Sequence, residues 1–326
     1  MYRSHKKNLN FKSKNKTIKK KVKQIYRKKY IKDEDITKKE GEMINTTHQY
    51  LIIDSNTDVY KDSKMTIPLL KYRRNVIPNN LTNLAIESFR GVTNGQNDNR
   101  GAAAGKINLK KILQKRPYLK NRFTKTSRFR TYMIREDGTT SRSHIANPAN
   151  SGIVGWFDKG TRKNAGNYPP CRLTAFTKKN LQKYQQSFPF IKKVDQLFKK
   201  HLPQQWKNQK KQAFKTKAHI ADTCFSTITV NRDFRTALHR DSGDYSQGFG
   251  VMSVCTTGNL KGGYFLFPQY KIAVKVRNGD ILLADVHEWH CNSPIKGNGE
   301  RFSFVFYLRE NMEQACSKKP PAFLQR

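Results

Sequence analysis

Gly263-Tyr264-Phe265-Leu266-Phe267, Ile281-Leu282-Leu283-Ala284 and Arg301-Phe302-Ser303-Phe304-Val305-Phe306-Tyr307 follow one another across Gly, Pro, Asn and Asp turns. They belong to a longer series of short apolar or alternating runs: Phe225 to Asn231, Phe249 to Thr256, Gly263 to Phe267, Tyr270 to Val276, Ile281 to Ala284 and Phe302 to Leu308. Runs of that length with turn residues between them predict strands, and their number predicts a sandwich or barrel of jelly-roll type. Just upstream, residues 178–217 carry helical spacing. Leu181, Tyr184 and Phe188 form one set, and Phe190-Ile191, Val194 and Leu197-Phe198 the next, with breaks at Pro189 and Pro203. The expected fold class is therefore mainly β with helical support (α+β), a core of jelly-roll type preceded by a basic N-terminal extension.

Ahead of that core, Ile153 to Asp158 and Cys171 to Thr177 read as strands, Gln49 to Ile53 as another, and Leu81 to Phe89 as a short helix. Gly91 to Gly105, rich in Gly, Asn and Ala, reads as a flexible linker or loop. The expected domains are a basic, disordered tail over 1–45, a basic, partly ordered extension over 46–149, the jelly-roll core over 150–310 and a C-terminal tail over 311–326.

Charge divides the chain. Lys and Arg number 64 against 24 Asp and Glu, a net charge of +40. Residues 219–326 hold 13 basic and 10 acidic side chains, so 37 of those charges fall in residues 1–218. A positive field of that size, kept off the strand series, suits a polyanionic partner such as DNA; the competing reading is a compositional bias toward Lys and Asn. Residues 1–30 carry 13 basic and no acidic side chains, which suits a nuclear import signal, a DNA tether or a solvated tail. Lys106 to Ile134 interleaves Tyr118, Phe123, Phe129 and Tyr132 with basic residues, a pattern that tracks phosphates and stacks bases or, more plainly, an ordinary element with snorkelling lysines. Five scattered cysteines without C-x-x-C spacing argue against a zinc ribbon or a disulfide framework and for reduced thiols inside a cell. No apolar leader and no run long enough for a membrane span are present, so an intracellular protein without a membrane partner is expected.

The chemistry is carried by Arg235-Thr236-Ala237-Leu238-His239-Arg240-Asp241-Ser242-Gly243-Asp244 and by Asp285-Val286-His287-Glu288-Trp289-His290-Cys291-Asn292. On a strand, His239 and Asp241 project from one face. With a distant third His they make the two-imidazole, one-carboxylate set that holds Fe(II) and leaves positions open for a co-substrate and O2. Spacing alone leaves His287 and His290 both eligible. Arg301, among apolar neighbours, needs an anion; the distal carboxylate of 2-oxoglutarate supplies one, with Ser303 pointing the same way. An Arg ion-paired at a strand edge is the other reading.

Thr229-Val230-Asn231, Phe234 to Asp244, Gly279 to Asp285 with His290-Cys291-Asn292, and Arg301-Phe302-Ser303 resemble the oxygenase domain of the TET and base-J-binding-protein (JBP) superfamily. Cys171-Arg172-Leu173-Thr174 resembles that family's lead-in. The likeness covers roughly residues 150–310 and leans to the JBP-like branch; the cysteine-rich zinc region of animal TET enzymes is missing. The resemblance implies a double-stranded β-helix (jelly-roll, cupin-like) core, with Fe(II), 2-oxoglutarate and O2 as cofactor and co-substrates. It implies metal ligands His239, Asp241 and His290, with Arg301 and Ser303 for 2-oxoglutarate. It also implies oxidation of a methylated base in DNA, which must flip out of the stack to reach the metal; the Lys/Arg clusters point to a nucleus, of the cell or of a viral host. Thymine, giving 5-hydroxymethyluracil, is the expected substrate. The alternatives are 5-methylcytosine, a protein side chain, or an inactive barrel that only binds DNA. Asp244 and Asn231 fall on the substrate side, although Asp244 also suits a turn cap.

Overall fold

A computed structural model describes residues 21–316 except 98–99, 116, 118–122, 127 and 160–170. The chain begins with β1 (Lys23–Tyr26), α1 (Asp33–Lys38), β2 (Leu51–Ile53), β3 (Thr57–Tyr60), β4 (Pro68–Arg73) and α2 (Asn79–Phe89). Two 3-10 turns, Arg90–Thr93 and Gly101–Ala104, lead to α3 (Leu109–Lys115) and then to β5 (Phe123–Thr126), β6 (Thr131–Ile134) and β7 (Thr140–Ile145). Next come β8 (Ser151–Phe157), β9 (Arg172–Leu173), α4 (Ala175–Lys179), α5 (Leu181–Gln186), α6 (Phe188–His201) and α7 (Pro203–Ala213). The remainder is β10 (Thr227–Arg232), β11 (Gly250–Gly262), β12 (Phe265–Phe267), β13 (Ile272–Val274), β14 (Ile281–Ala284), β15 (Cys291–Asn292), β16 (Ile295–Tyr307) and α8 (Met312–Cys316).

A nine-stranded sheet, β1-β3-β4-β14-β11-β16-β10-β8-β9, faces a four-stranded one, β15-β12-β13-β2, while β5-β6-β7 form a third, smaller sheet. The period of two along β16 divides its side chains between two environments. Phe302, Phe304 and Phe306 join Ile228, Val230 and Val251 beneath the helices, packed with Phe89, Phe190 and Phe198. On the other face, Met252 and Val254 of β11 meet Phe265, Phe267, Ile272 and Val274 of the smaller sheet. This is the jelly-roll core with helices on one side, and it leaves Arg301, Ser303, Val305 and Tyr307 on the interior face.

The structure departs from the expected organisation in five places. Residues 1–20, part of the expected disordered tail, lie outside the described residues. The rest of that tail is ordered: β1 pairs in parallel with β3, and the Tyr30 N–H donates to the Gln269 carbonyl at 2.7 Å. Main-chain pairing at a sheet edge needs no apolar side chains, so a Lys-rich strand passes unnoticed by pattern. The 46–149 extension is likewise woven into the core: β4 pairs with β14 and β2 with β13.

Cys171 to Thr177 is a strand only at Arg172–Leu173. Thr174 then caps α4, its side chain accepting from the Thr177 N–H, which fits the N-cap preference of Thr. The β11–β16 hairpin runs well past the expected strand ends, Gly262 pairing with Ile295; its tip is polar and glycine-rich, so alternation gives no signal there. Finally, the reduced-cysteine expectation fails at one pair. Cys171 and Cys316, 145 residues apart, form a disulfide, because α8 brings the chain end back to the start of β9; Cys224, Cys255 and Cys291 stay free and buried.

Candidate metal centre and its cavity

His239 lies in irregular backbone rather than on the expected strand, and it reaches its partner through an isolated antiparallel bridge to His290. The two residues exchange main-chain bonds, His239 N–H to His290 carbonyl at 3.0 Å and the reverse at 2.9 Å. The Asp241 N–H donates to the Val286 carbonyl at 3.1 Å. Behind them the 3-10 turn Gly101–Ala104 and the loop after α1 hold the segment in place: Ala237 N–H bonds the Ala103 carbonyl, and Leu238 N–H the Glu42 carbonyl, each at 2.9 Å.

The outcome is a cluster. Ligand atoms of His239, Asp241 and His290 all lie within 4.8 Å of one another. His239 Nε2 is 3.5 Å from Asp241 Oδ1, and His290 Nε2 is 3.7 Å from Asp241 Oδ2. Each imidazole Nδ1 faces a carbonyl, that of Ala237 at 2.8 Å and that of Glu288 at 2.9 Å. A carbonyl only accepts, so both Nδ1 atoms carry the proton and both Nε2 lone pairs turn toward Asp241. Burial, then the neighbouring His239, pushes His290 down to about 4, leaving it neutral as a ligand must be. Two imidazoles with Nε2 turned inward and one carboxylate on one side, with open space opposite, fit Fe(II).

His287, the other candidate, is directed elsewhere. Its Nδ1 meets Asp285 Oδ1 at 3.0 Å, and that contact raises it above the usual histidine range. Burial pushes Asp285 upward, but bonds from His287 and Lys61 outweigh it and hold Asp285 at about 2.

The cluster opens on a cavity of about 480 Å³. Ser303, Asn231, Asn292, Asp244 and Tyr307 line it, as do Met252, Phe265 and Val286. Asn231 contacts Ser151 through its carbonyl and donates weakly to Ser303 Oγ at 3.4 Å. Arg301, two residues before Ser303, is 4% exposed, and its Nη2 is buried with no hydrogen-bond partner. Burial pushes it down to about 10, against the pull of Asp233. Gly263 makes the room: a Cβ there would stand 3.0 Å from Arg301 Nε. Arg301 does not itself line the cavity, but its unpartnered, buried Nη2 lies one step along the interior face from Ser303, which does, and it calls for an anion from a ligand. Asp244 bridges to Arg309 through backbone; burial, then the charge of Asp241, pushes it well above the usual carboxylate range, with Arg309 opposing.

Several lining residues carry no signal in the sequence. Arg100 and Gly101 to Ala103, read as a linker, form part of the wall, as do Phe129 and Arg130 of the basic segment. Of that segment's aromatics, Tyr118 lies outside the described residues. Tyr307 was readable by alternation from Arg301 and Ser303; Arg309 was not.

Residues 152–310 match the Tet_JBP family, the oxygenase domain of the 2OGFeDO superfamily. The chain is 35% identical over 183 residues to the bifunctional helicase and thymine dioxygenase JBP2 of Leishmania tarentolae, covering 55% of this chain and 16% of that protein. It is 36% identical over 174 residues to thymine dioxygenase JBP1 of Trypanosoma brucei brucei, covering 51% and 20%. The chain thus spans a fifth or less of the length of these relatives. Among solved structures, NgTET1 in complex with 5mC DNA superposes with a TM-score of 0.50 at 13% identity, over 87% of this chain and 94% of the other. That likeness is one of fold.

Proposed function

With residues 152–310 as an Fe(II)- and 2-oxoglutarate-dependent oxygenase domain of the TET/JBP type, we propose that this enzyme hydroxylates the methyl group of thymine in DNA, giving 5-hydroxymethyluracil. The single observation that carries the chemistry is the His239, Asp241 and His290 cluster lining the cavity. Thymine rests on the thymine dioxygenases among the relatives. DNA rests on the basic N-terminal two-thirds of the chain and on Arg130 reaching the cavity from the basic segment.

His239, Asp241 and His290 would hold the metal, their Nε2 and carboxylate oxygens already turned inward. When bound, Fe(II) supplies the coupled oxidation: one oxygen atom of O2 enters succinate as 2-oxoglutarate loses CO2, and the other enters the methyl C–H bond as a hydroxyl. The protein's own groups position the reactants. Arg301 takes the distal carboxylate of 2-oxoglutarate through its free Nη2, with Ser303 beside it. Met252, Phe265 and Val286 exclude water from the reacting carbon. Asp244 and Asn231 meet the polar edge of a base flipped out of the duplex. Lys and Arg of the 106–130 segment track the phosphates on either side. A DNA substrate places the enzyme in the nucleus or wherever its DNA resides. A second reading, 5-methylcytosine, is favoured by the fold shared with NgTET1, solved with 5mC DNA.

The test is anaerobic loading with Fe(II), then addition of 2-oxoglutarate, O2 and duplexes carrying thymine or 5-methylcytosine, with nucleoside mass spectrometry of products. Hydroxymethyluracil is expected, and none from His290→Ala. Hydroxymethylcytosine alone would replace thymine by the second reading. Consumption of 2-oxoglutarate without either product would remove DNA bases as the substrate.

A further inference from the structure

Of the cavity-wall guanidiniums not used above, Arg309 is paired with Asp158 at 2.6 Å and Arg240 stacks over Trp289, which leaves Arg100. Arg100 reaches the wall from the turn before Gly101–Ala104 and shares it with Asp241, Asp244, Tyr307 and Arg309. One of its terminal nitrogens, Nη2, donates to the Gly152 carbonyl at 3.2 Å. Its Nε is covered from solvent and has no hydrogen-bond partner. A buried donor left unpaired is costly, so the position calls for an acceptor brought by a ligand. Arg301 shows the same feature at the co-substrate end of β16. Burial pushes Arg100 down from its usual range, with Tyr307 and Asp241 close enough to pull it back up.

The reaction fixes which part of a pyrimidine can meet this group. With the C5 methyl presented to the metal, C5 has two ring neighbours. C6 bears only hydrogen; C4 bears a carbonyl in thymine and an amine in 5-methylcytosine. C2 lies across the ring. Arg100 shares the cavity wall with Asp241, a residue of the proposed metal cluster, and feels its charge, so on this reading the exocyclic group it meets is the one on C4. A guanidinium donates and never accepts. A carbonyl at C4 satisfies it, whereas an amine sets donor against donor. Asp244 does not make this choice, since a carboxyl oxygen accepts equally from the thymine ring N–H or the cytosine amine.

We propose that Arg100 is the residue that selects thymine over 5-methylcytosine, by donating to the C4 carbonyl. The assignment rests on reading the chain as an oxygenase of pyrimidine methyl groups, and it names the substrate determinant of that same site.

The experiment uses the full chain and two duplexes identical except at one position. Uracil replaces every thymine, and the single methylated pyrimidine is thymine in one duplex and 5-methylcytosine in the other. Wild type, Arg100→Met, Arg100→Lys and Arg100→Gln are compared in competition for product ratio, and anaerobically for the ratio of the two Kd values at fixed salt. Arg100→Met should lower the thymine preference in both ratios by about 10-fold or more. Arg100→Lys, still a donor only, should retain part of it, and Arg100→Gln, whose carbonyl can take the amine, should favour 5-methylcytosine most. A merely structural role for the Gly152 bond would weaken both substrates alike; unchanged ratios in all three variants overturn the assignment. If wild type oxidises thymine and the ratios stay fixed, Arg100 is wrong and the proposed activity stands. If wild type oxidises neither base while the Kd ratio shifts, the selectivity assignment stands and the proposed activity falls.

Discussion

Two backbone carbonyls decide which nitrogens face the centre of the His239, Asp241 and His290 cluster. Ala237 and Glu288 each occupy an Nδ1, so His239 and His290 have only Nε2 to offer. His287 has its Nδ1 on Asp285 and stands outside the cluster. His290→Ala should therefore abolish stoichiometric Fe(II) binding, while His287→Ala should leave it near wild type, as read by iron content after anaerobic dialysis. At the other end of the site, Arg301→Lys keeps the charge but loses the planar fork, and the KM for 2-oxoglutarate should rise about 10- to 100-fold in a succinate assay. The H-x-D pair and Arg301 were legible because their spacing and isolation among apolar residues are local facts. The choice of His290 over His287 was not legible from spacing, since it depends on a main-chain bridge to His239 that only the folded chain makes. Arg100 was invisible for the same reason: nothing in its neighbourhood announces that a Gly/Ala-rich turn forms a cavity wall.

A strand with two environments tests the fold at the next scale. In β16 the residues Phe302, Phe304 and Phe306 face the helices, and Arg301, Ser303 and Tyr307 face the site. Phe304 is fully buried, with ring centroids 5.7 Å from Phe89 and 5.3 Å from Phe190. Phe304→Ala should cost about 3–5 kcal/mol by denaturant titration, through lost burial and the cavity left behind. The β10–β16 core was legible because alternation is strong where one face is buried. The N-terminal strands were only partly so. β2 and α2 follow apolar runs, but in β1 only Ile25 is even half-buried, the other three side chains being exposed, and its place is fixed by β3 rather than by its own sequence. The C-terminal clasp depends on a partner far along the chain, across the 145-residue separation closed by Cys171 and Cys316.

Across the whole molecule, charge and burial pull on different measurements. A net charge of +40 concentrated outside the strand series predicts that duplex affinity falls steeply with salt, log Kd rising roughly linearly with log salt. Stability should respond to pH instead through groups buried in their neutral form. His201, the last residue of α6, is pushed down to about 4, first by burial and then by the positive charges of Arg73 and Lys200, with Asp58 opposing and Lys71 adding to the fall. The folded state therefore resists protonating this imidazole, while the unfolded chain takes the proton near 6.5. Between about pH 6.5 and 4 the unfolded state binds more protons, so stability must drop as pH falls through that window and is fully present above it. His201→Gln removes the titration without adding a charge. Its unfolding free energy should decline less between pH 7 and pH 5 than that of wild type, by denaturant titration at each pH. Parallel declines would mean that His201 titrates alike in the folded and unfolded chains, and that other groups set the acid limit.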